Sequence, residues 1–179
     1  MYKKIIIGTR GSKLSLAYAG RVKNLLVGLD QSLKNQIEIK IIKTTGDLNV
    51  DKKISELGGK NYFCKEIEDQ LQNKKIDVAV HSLKDMETFE NKKLVVAAYL
   101  KRNDPRDILV MKDKTSISSN ENCLIGSSSK RRELQMKLVF KNFVTKQIRG
   151  NIDTRIEKVN EGKFDGVMLA AAGLKTLNL

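Results

Sequence analysis

Apolar residues come along this chain in short β-branched bursts, each followed by a polar loop and then by helical spacing. Residues 5–8 are one such burst, and Thr9, Arg10, Gly11 and Ser12 follow it. Leu14, Ala17, Tyr18, Val22 and Leu25 then share a helical face over 14–26. The pattern returns at Leu124-Ile125-Gly126, where Ser127, Ser128 and Ser129 precede a helix opening on Lys130, Arg131 and Arg132. It returns again at 144–148, where Arg149-Gly150-Asn151 leads into a helix through Ile152, Ile156 and Val159 that stops near Gly162. Further strands are expected at 37–43, 76–80, 94–99, 108–111 and 166–170, and further helices over 64–72 and 171–177. Strands alternating with helices predict an α/β fold. The only proline, Pro105, lies in Asn103-Asp104-Pro105-Arg106-Asp107, a turn signal that marks the boundary between two lobes, 1–102 and 103–179. The polar stretch 112–122 reads as a loop within the second lobe.

Each of the three strand–loop–helix units carries arginine at its junction. A helix N-terminus presents unpaired N–H groups and the positive end of a dipole, so it accepts anions. Serine hydroxyls and a guanidinium, which grips a carboxylate through two parallel bonds, make such a site selective. The alternative is that Ser and Asn serve only as N-caps. In open α/β sheets these loops gather at one edge, where ligands bind.

Composition narrows the ligand. The 179 residues hold 34 Lys+Arg against 21 Asp+Glu, a formal net charge of +13, which favours polyanionic partners. Aromatic residues are 5% and tryptophan is absent, so stacking platforms for single-stranded nucleic acid are not evident. Cys64 and Cys123 fit no metal or redox spacing and suit a reducing compartment. The start of the chain is too short in apolar residues for a signal peptide, and no apolar run reaches membrane-spanning length. The expectation is a soluble, cytoplasmic, basic protein.

The stretch Val78 to Met86 ends an apolar strand in His81, Ser82, Lys84 and Asp85. Lys84 and Asp85 read either as a solvated ion pair of little worth or as a reaction centre. Among arginines a lone carboxylate can stabilise a developing positive charge or move a proton, which the arginines cannot. His81, the sole histidine, has no ligand cluster around it and reads as structural. Gly58-Gly59-Lys60 reads as a mobile loop or as an ordinary turn. Nucleotide-binding glycine motifs are not matched.

TRGSKLSLAYA, TTGD, GGK with Phe63 three residues later, AVHSLKD, NDPRD, IGSSSKRR, IRGNIDTR and LAAAGLK together resemble the porphobilinogen deaminase (hydroxymethylbilane synthase) family, in order from Ile5 to Leu177. The resemblance implies a two-lobed, periplasmic-binding-protein-like (type II) architecture with a cleft between the lobes. It implies a transferase of tetrapyrrole (haem) biosynthesis that joins four porphobilinogen molecules head to tail, releasing ammonia each time. The growing polypyrrole is built on a dipyrromethane cofactor held by a cysteine in a third, α+β domain. Matched motif by motif, Asp85 is the catalytic residue, and Lys84, Ser129, Arg131, Arg132 and Arg155 hold cofactor. Arg10, Ser12, Arg149 and Arg155 hold substrate, and Gly59 and Lys60 belong to a mobile loop. Asn61-Tyr62 and Met86-Glu87 depart from the family's usual residues. The return segment and the third domain are expected to be missing, the second lobe to be incomplete, and neither cysteine to be the attachment point. No nucleic acid, membrane or metal partner is expected, and the chain is expected to be a monomer. The competing reading is a non-catalytic two-lobed carboxylate-binding protein.

Overall fold

A computed structural model of the chain describes residues 4–48, 62–86, 91–112 and 122–179. The chain divides into two compact units, Met1–Leu100 and Lys101–Leu179.

In the first unit, β1 (Ile5–Thr9) leads through a three-residue loop, Arg10-Gly11-Ser12, into α1 (Lys13–Leu29). A 3-10 turn (Gln31–Asn35) returns the chain to β2 (Ile37–Ile41), which is followed by the short α2 (Thr45–Leu48). The next described stretch holds α3 (Lys65–Gln72), β3 (Val78–Ala79) and a 3-10 turn at Leu83–Asp85. The sheet is parallel, in the order β2-β1-β3, with Ile7 opposite both Ile39 and Val78. Alternation along β1 assigns its two faces. Ile5 and Ile7 join Ala19, Val22 and Leu26 of α1, while Ile6 joins Ile67 and Leu71 of α3. A strand buried on both faces must be apolar at every position, and three successive isoleucines meet that need.

The second unit contains β4 (Asp107–Met111), β5 (Cys123–Gly126), α4 (Lys130–Val139) and β6 (Phe143–Lys146). It continues with α5 (Ile152–Asn160), β7 (Gly166–Ala170) and α6 (Ala171–Leu177). The strand order is β4-β7-β5-β6, with β4 antiparallel to β7 and the other pairs parallel. Here too the pleat divides the core. Leu124, Val167 and Leu169 pack with Ile156, Val159 and Leu174, while Ile125 and Met168 pack with Met136 and Phe143. The Phe140 and Phe143 rings stack at a centroid distance of 4.4 Å. Two α/β units, each with its own sheet, give the expected fold class.

One expected strand is absent. Residues 94–99 form no ladder, and Val95 and Tyr99 are 83% and 66% exposed. The run joins neither open edge of the three-stranded sheet, β2 or β3, and an apolar run that pairs with no neighbour is not a strand.

Candidate functional site

All three strands of the first unit run parallel, so the segments leaving their carboxyl ends share one edge of the sheet. Arg10 leaves β1, residues Thr44 to Asp47 follow β2, and the turn bearing Lys84 and Asp85 follows β3. Arg10 Nε donates to Asp47 Oδ1 at 3.1 Å and Oδ2 at 3.3 Å. Its guanidinium carbon also lies 4.1 Å from the centre of the Phe63 ring, within cation–π range. Phe63 can lie there because position 46 is glycine: a Cβ would meet the ring at 2.3 Å. Asp47 also accepts from the Thr44 N–H at 3.3 Å and Thr44 Oγ1 at 2.8 Å, closing the first turn of α2 in the manner of a capping box. Burial opposes the charge on Asp47, but the hydrogen bonds from Arg10 and Thr44 prevail and hold its carboxyl below the usual range.

Arg10 and Asp85 line one small pocket, together with Tyr18, Phe63, His81 and Ser82. A carboxylate and a guanidinium are thus brought to the same cavity from two different strand ends. Lys84, on the same turn as Asp85, is exposed. Ser12 is occupied as the N-cap of α1, its Oγ accepting from the Ser15 N–H at 3.2 Å. His81 Nδ1 lies 3.5 Å from the Sγ of Cys64, which is fully buried. Burial drives this imidazole toward its neutral form, against the pull of Glu68 and Asp85. Gly59 and Lys60 lie outside the described residues.

In the second unit the antiparallel run of β4 places its first residue, Asp107, opposite Ala170 at the end of β7. Asp107 therefore stands at the edge from which α4 departs. Arg131 Nη1 donates to Asp107 Oδ2 at 2.8 Å and to Gln135 Oε1 at 2.8 Å. Arg132 Nε donates to Asp107 Oδ1 at 3.0 Å, and its Nη1 to the Met168 carbonyl at 3.1 Å. Burial works to raise the Asp107 pKa, and the two arginines more than offset it, keeping the carboxyl below its ordinary range.

Arg155 is half-buried and donates from Nε to the Gly150 carbonyl at 2.8 Å. Burial, then the neighbouring charges of Arg132 and Arg149, push its pKa below that of a free guanidinium. A partly buried guanidinium that feels the charge of two other arginines is one whose charge an anion stabilises. The backbone supports the same chemistry. Ser129 and Asn151 are the N-caps of α4 and α5, yet neither side chain makes a capping bond. The Ser129 N–H instead donates to Ser127 Oγ at 3.2 Å.

Of the residues expected from the sequence, the structure brings Arg10 and Asp85 to one pocket and Arg131 and Arg132 to one carboxylate, that of Asp107, while Arg155 feels the charge of Arg132 and Arg149. It uses Ser12 as a cap. Sequence reasoning missed Asp47 and Asp107, the internal carboxylates that hold these arginines, and Cys64 beneath the Asp85 turn. Asp47 had a local signal, as the fourth residue of Thr-Thr-Gly-Asp. Asp107 lay in the Asn-Asp-Pro-Arg-Asp motif, but its partnership with the arginines was not visible there, because only the antiparallel pairing of β4 brings it to the edge.

The family model described as "Porphobilinogen deaminase, dipyromethane cofactor binding domain" matches residues 5–179. This chain belongs to the porphobilinogen deaminase family. A porphobilinogen deaminase from Ruminiclostridium cellulolyticum is 44% identical over 177 residues, covering 99% of this chain and 59% of the relative. One from Fusobacterium nucleatum subsp. nucleatum is 44% identical, covering 100% of this chain and 60% of the relative. A probable porphobilinogen deaminase from Methanocaldococcus jannaschii is 42% identical, covering 98% and 58%. The chain therefore spans about 60% of the length of the curated porphobilinogen deaminases it matches. Among solved structures, an ancestral arginine-binding protein bound to glutamine covers 99% of this chain and 74% of its own at 18% identity and a TM-score of 0.45, too distant to bear on ligand or activity. No helix among the described residues is long and apolar enough to cross a membrane.

Proposed function

We propose that this chain supplies the carboxylate-binding and acid–base portion of a hydroxymethylbilane synthase, which condenses four porphobilinogen molecules with release of ammonia. The observation that carries this reading is the meeting of Asp85 and Arg10 in one pocket. Porphobilinogen bears an acetate and a propionate, which a guanidinium recognises in bidentate fashion. Loss of its ammonia leaves an electron-poor methylene carbon, and carbon–carbon bond formation there puts positive charge on a pyrrole nitrogen. Asp85 stabilises that charge and moves the proton. Asp47 already holds Arg10 in place, so a receptor that only bound carboxylates would have no use for a second carboxylate, Asp85, in the same pocket, which argues against the non-catalytic reading.

The donor set of the second unit fits a group carrying several acids. Arg131, Arg132, Arg155 and Ser129 would hold the carboxylates of a dipyrromethane cofactor, and Arg149 and Arg155 would hold those of substrate. When bound, that group supplies the pyrrole end to which further units are joined. The structure contributes fixed cations and uncapped helix N–H groups, which cost no reorganisation when the acids arrive. Neither Cys64, which is fully buried, nor Cys123 is assigned the attachment.

The test has two parts. Calorimetry measures porphobilinogen binding by this chain. Porphobilinogen consumption is measured for the chain joined to the C-terminal portion of a curated relative, with oxidised samples read for porphyrin absorbance. Binding by the chain, and a loss of turnover by about 10² to 10⁴-fold in Asp85→Asn with binding retained, is the expected result. Absence of binding, or undiminished turnover in Asp85→Asn, overturns the reading.

A further inference from the structure

Cys64 stands at the start of α3, where its side chain makes no capping bond to the helix. Its Sγ instead lies 3.4 Å from the Asp85 carbonyl oxygen and 3.5 Å from His81 Nδ1. We propose that Cys64 is a positioning residue for Asp85, its thiol donating to the Asp85 carbonyl while its sulfur accepts from His81 Nδ1–H. This rests on the reading of Asp85 as the acid–base group, but the hydrogen-bond arrangement can be tested without it.

The assignment of protons follows from what each partner can do. A carbonyl oxygen only accepts, so a bond between it and the sulfur must carry the thiol proton. The sulfur then offers a lone pair to His81, and Nδ1 must be the protonated nitrogen. The other tautomer would send the thiol proton to Nδ1 and put a hydrogen on Nε2, which is buried without a hydrogen-bond partner among the described residues. An orphaned buried N–H is rarer than an orphaned acceptor, which favours the first arrangement.

The backbone makes this contact consequential. Asp85 closes the 3-10 turn Leu83–Asp85, its N–H donating to the Ser82 carbonyl at 2.9 Å. The next N–H, that of Met86, bonds only as far back as the Leu83 carbonyl. The thiol thus ties this short turn to α3, an element packed on the sheet through Ile67 and Leu71. The charged groups around the imidazole are Glu68 on α3, Asp85 on the turn and Arg10 from the β1 loop. A displaced carboxylate costs rate more than binding, because proton transfer depends on sub-ångström placement.

The sole histidine makes the test direct, since long-range proton–nitrogen NMR of the full chain shows only one imidazole. The expected spectrum is the Nδ1–H tautomer, retained in Cys64→Ser and lost in Cys64→Ala. In the turnover assay above, Cys64→Ala is expected to lower kcat about 10-fold with KM within twofold, and Cys64→Ser to recover most of it. An Nε2–H tautomer in the unsubstituted protein, or Cys64→Ala with unchanged kcat, overturns the proposal. If Asp85→Asn keeps full turnover, the functional reading fails, while the tautomer still decides the hydrogen-bond arrangement.

Discussion

Arg10 is held by an internal carboxylate, and any ligand acid that reaches it must share it with Asp47. A guanidinium has five N–H donors, and the bonds to Asp47 use only its Nε and Nη2 edge. Asp47 therefore orients the side chain while leaving donors for a substrate carboxylate. Replacing Asp47 with Asn is expected to destabilise the chain by about 1–3 kcal/mol, since charge-assisted bonds to a half-buried group are lost. The pH dependence has a definite sign. The folded-state pKa of Asp47 is depressed, so its contribution is present above the unfolded-state value, about 3.9, and is lost as pH falls through the folded-state value. Urea unfolding from pH 5 down to pH 2 should show a steeper acid loss in the unsubstituted chain than in Asp47→Asn. Identical slopes would remove the pair from the account. At this scale the sequence revealed the arginines and Asp85, because their motifs are contiguous. It did not reveal which carboxylates pair with them, since a partner 25 residues away, as Asp107 is from Arg132, is set by the sheet and not by local spacing.

The loops that carry these residues depend on a few backbone positions. Gly150 has φ of +114°, and a Cβ there would meet Thr154 at 2.8 Å. Its carbonyl accepts from Arg155, so a position that glycine alone adopts without strain also aims a cation. Gly150→Ala is expected to lower stability by about 1–3 kcal/mol, measured by urea unfolding, and to weaken carboxylate binding at Arg155 more than at Arg10. An unchanged midpoint would show that the turn relaxes freely. Most elements were legible because both periods are strong: 166–170 and 171–177 lie where the pattern put them. Two were not. The run 94–99 carries strand-like residues but pairs with neither edge of its sheet, and α2 (Thr45–Leu48) is too short for any period to register. Hydrophobic pattern tells which residues can be buried, whereas a ladder also requires a neighbour with free donors and acceptors.

Across the whole molecule, each unit has its own core clusters, and none of the clusters formed by described residues draws on both units. Leu169→Ala, in the core of the second unit, is expected to cost about 2–5 kcal/mol there. Hydrogen exchange should lose protection within Lys101–Leu179 and keep it in β1 and α1; a uniform loss would make the two units one cooperative body. The formal charge of +13 gives both units a standing attraction for polyanions, weakened by salt. The stack of Arg10 on Phe63 has one more consequence, and it is optical. The chain contains no tryptophan, so its near-ultraviolet emission comes from tyrosine alone. An indole introduced at position 63 would be the single long-wavelength emitter, lying under the guanidinium that a ligand acid would engage. Its colour and intensity would then record that engagement as it happens, with no label on the ligand and no background from the rest of the chain.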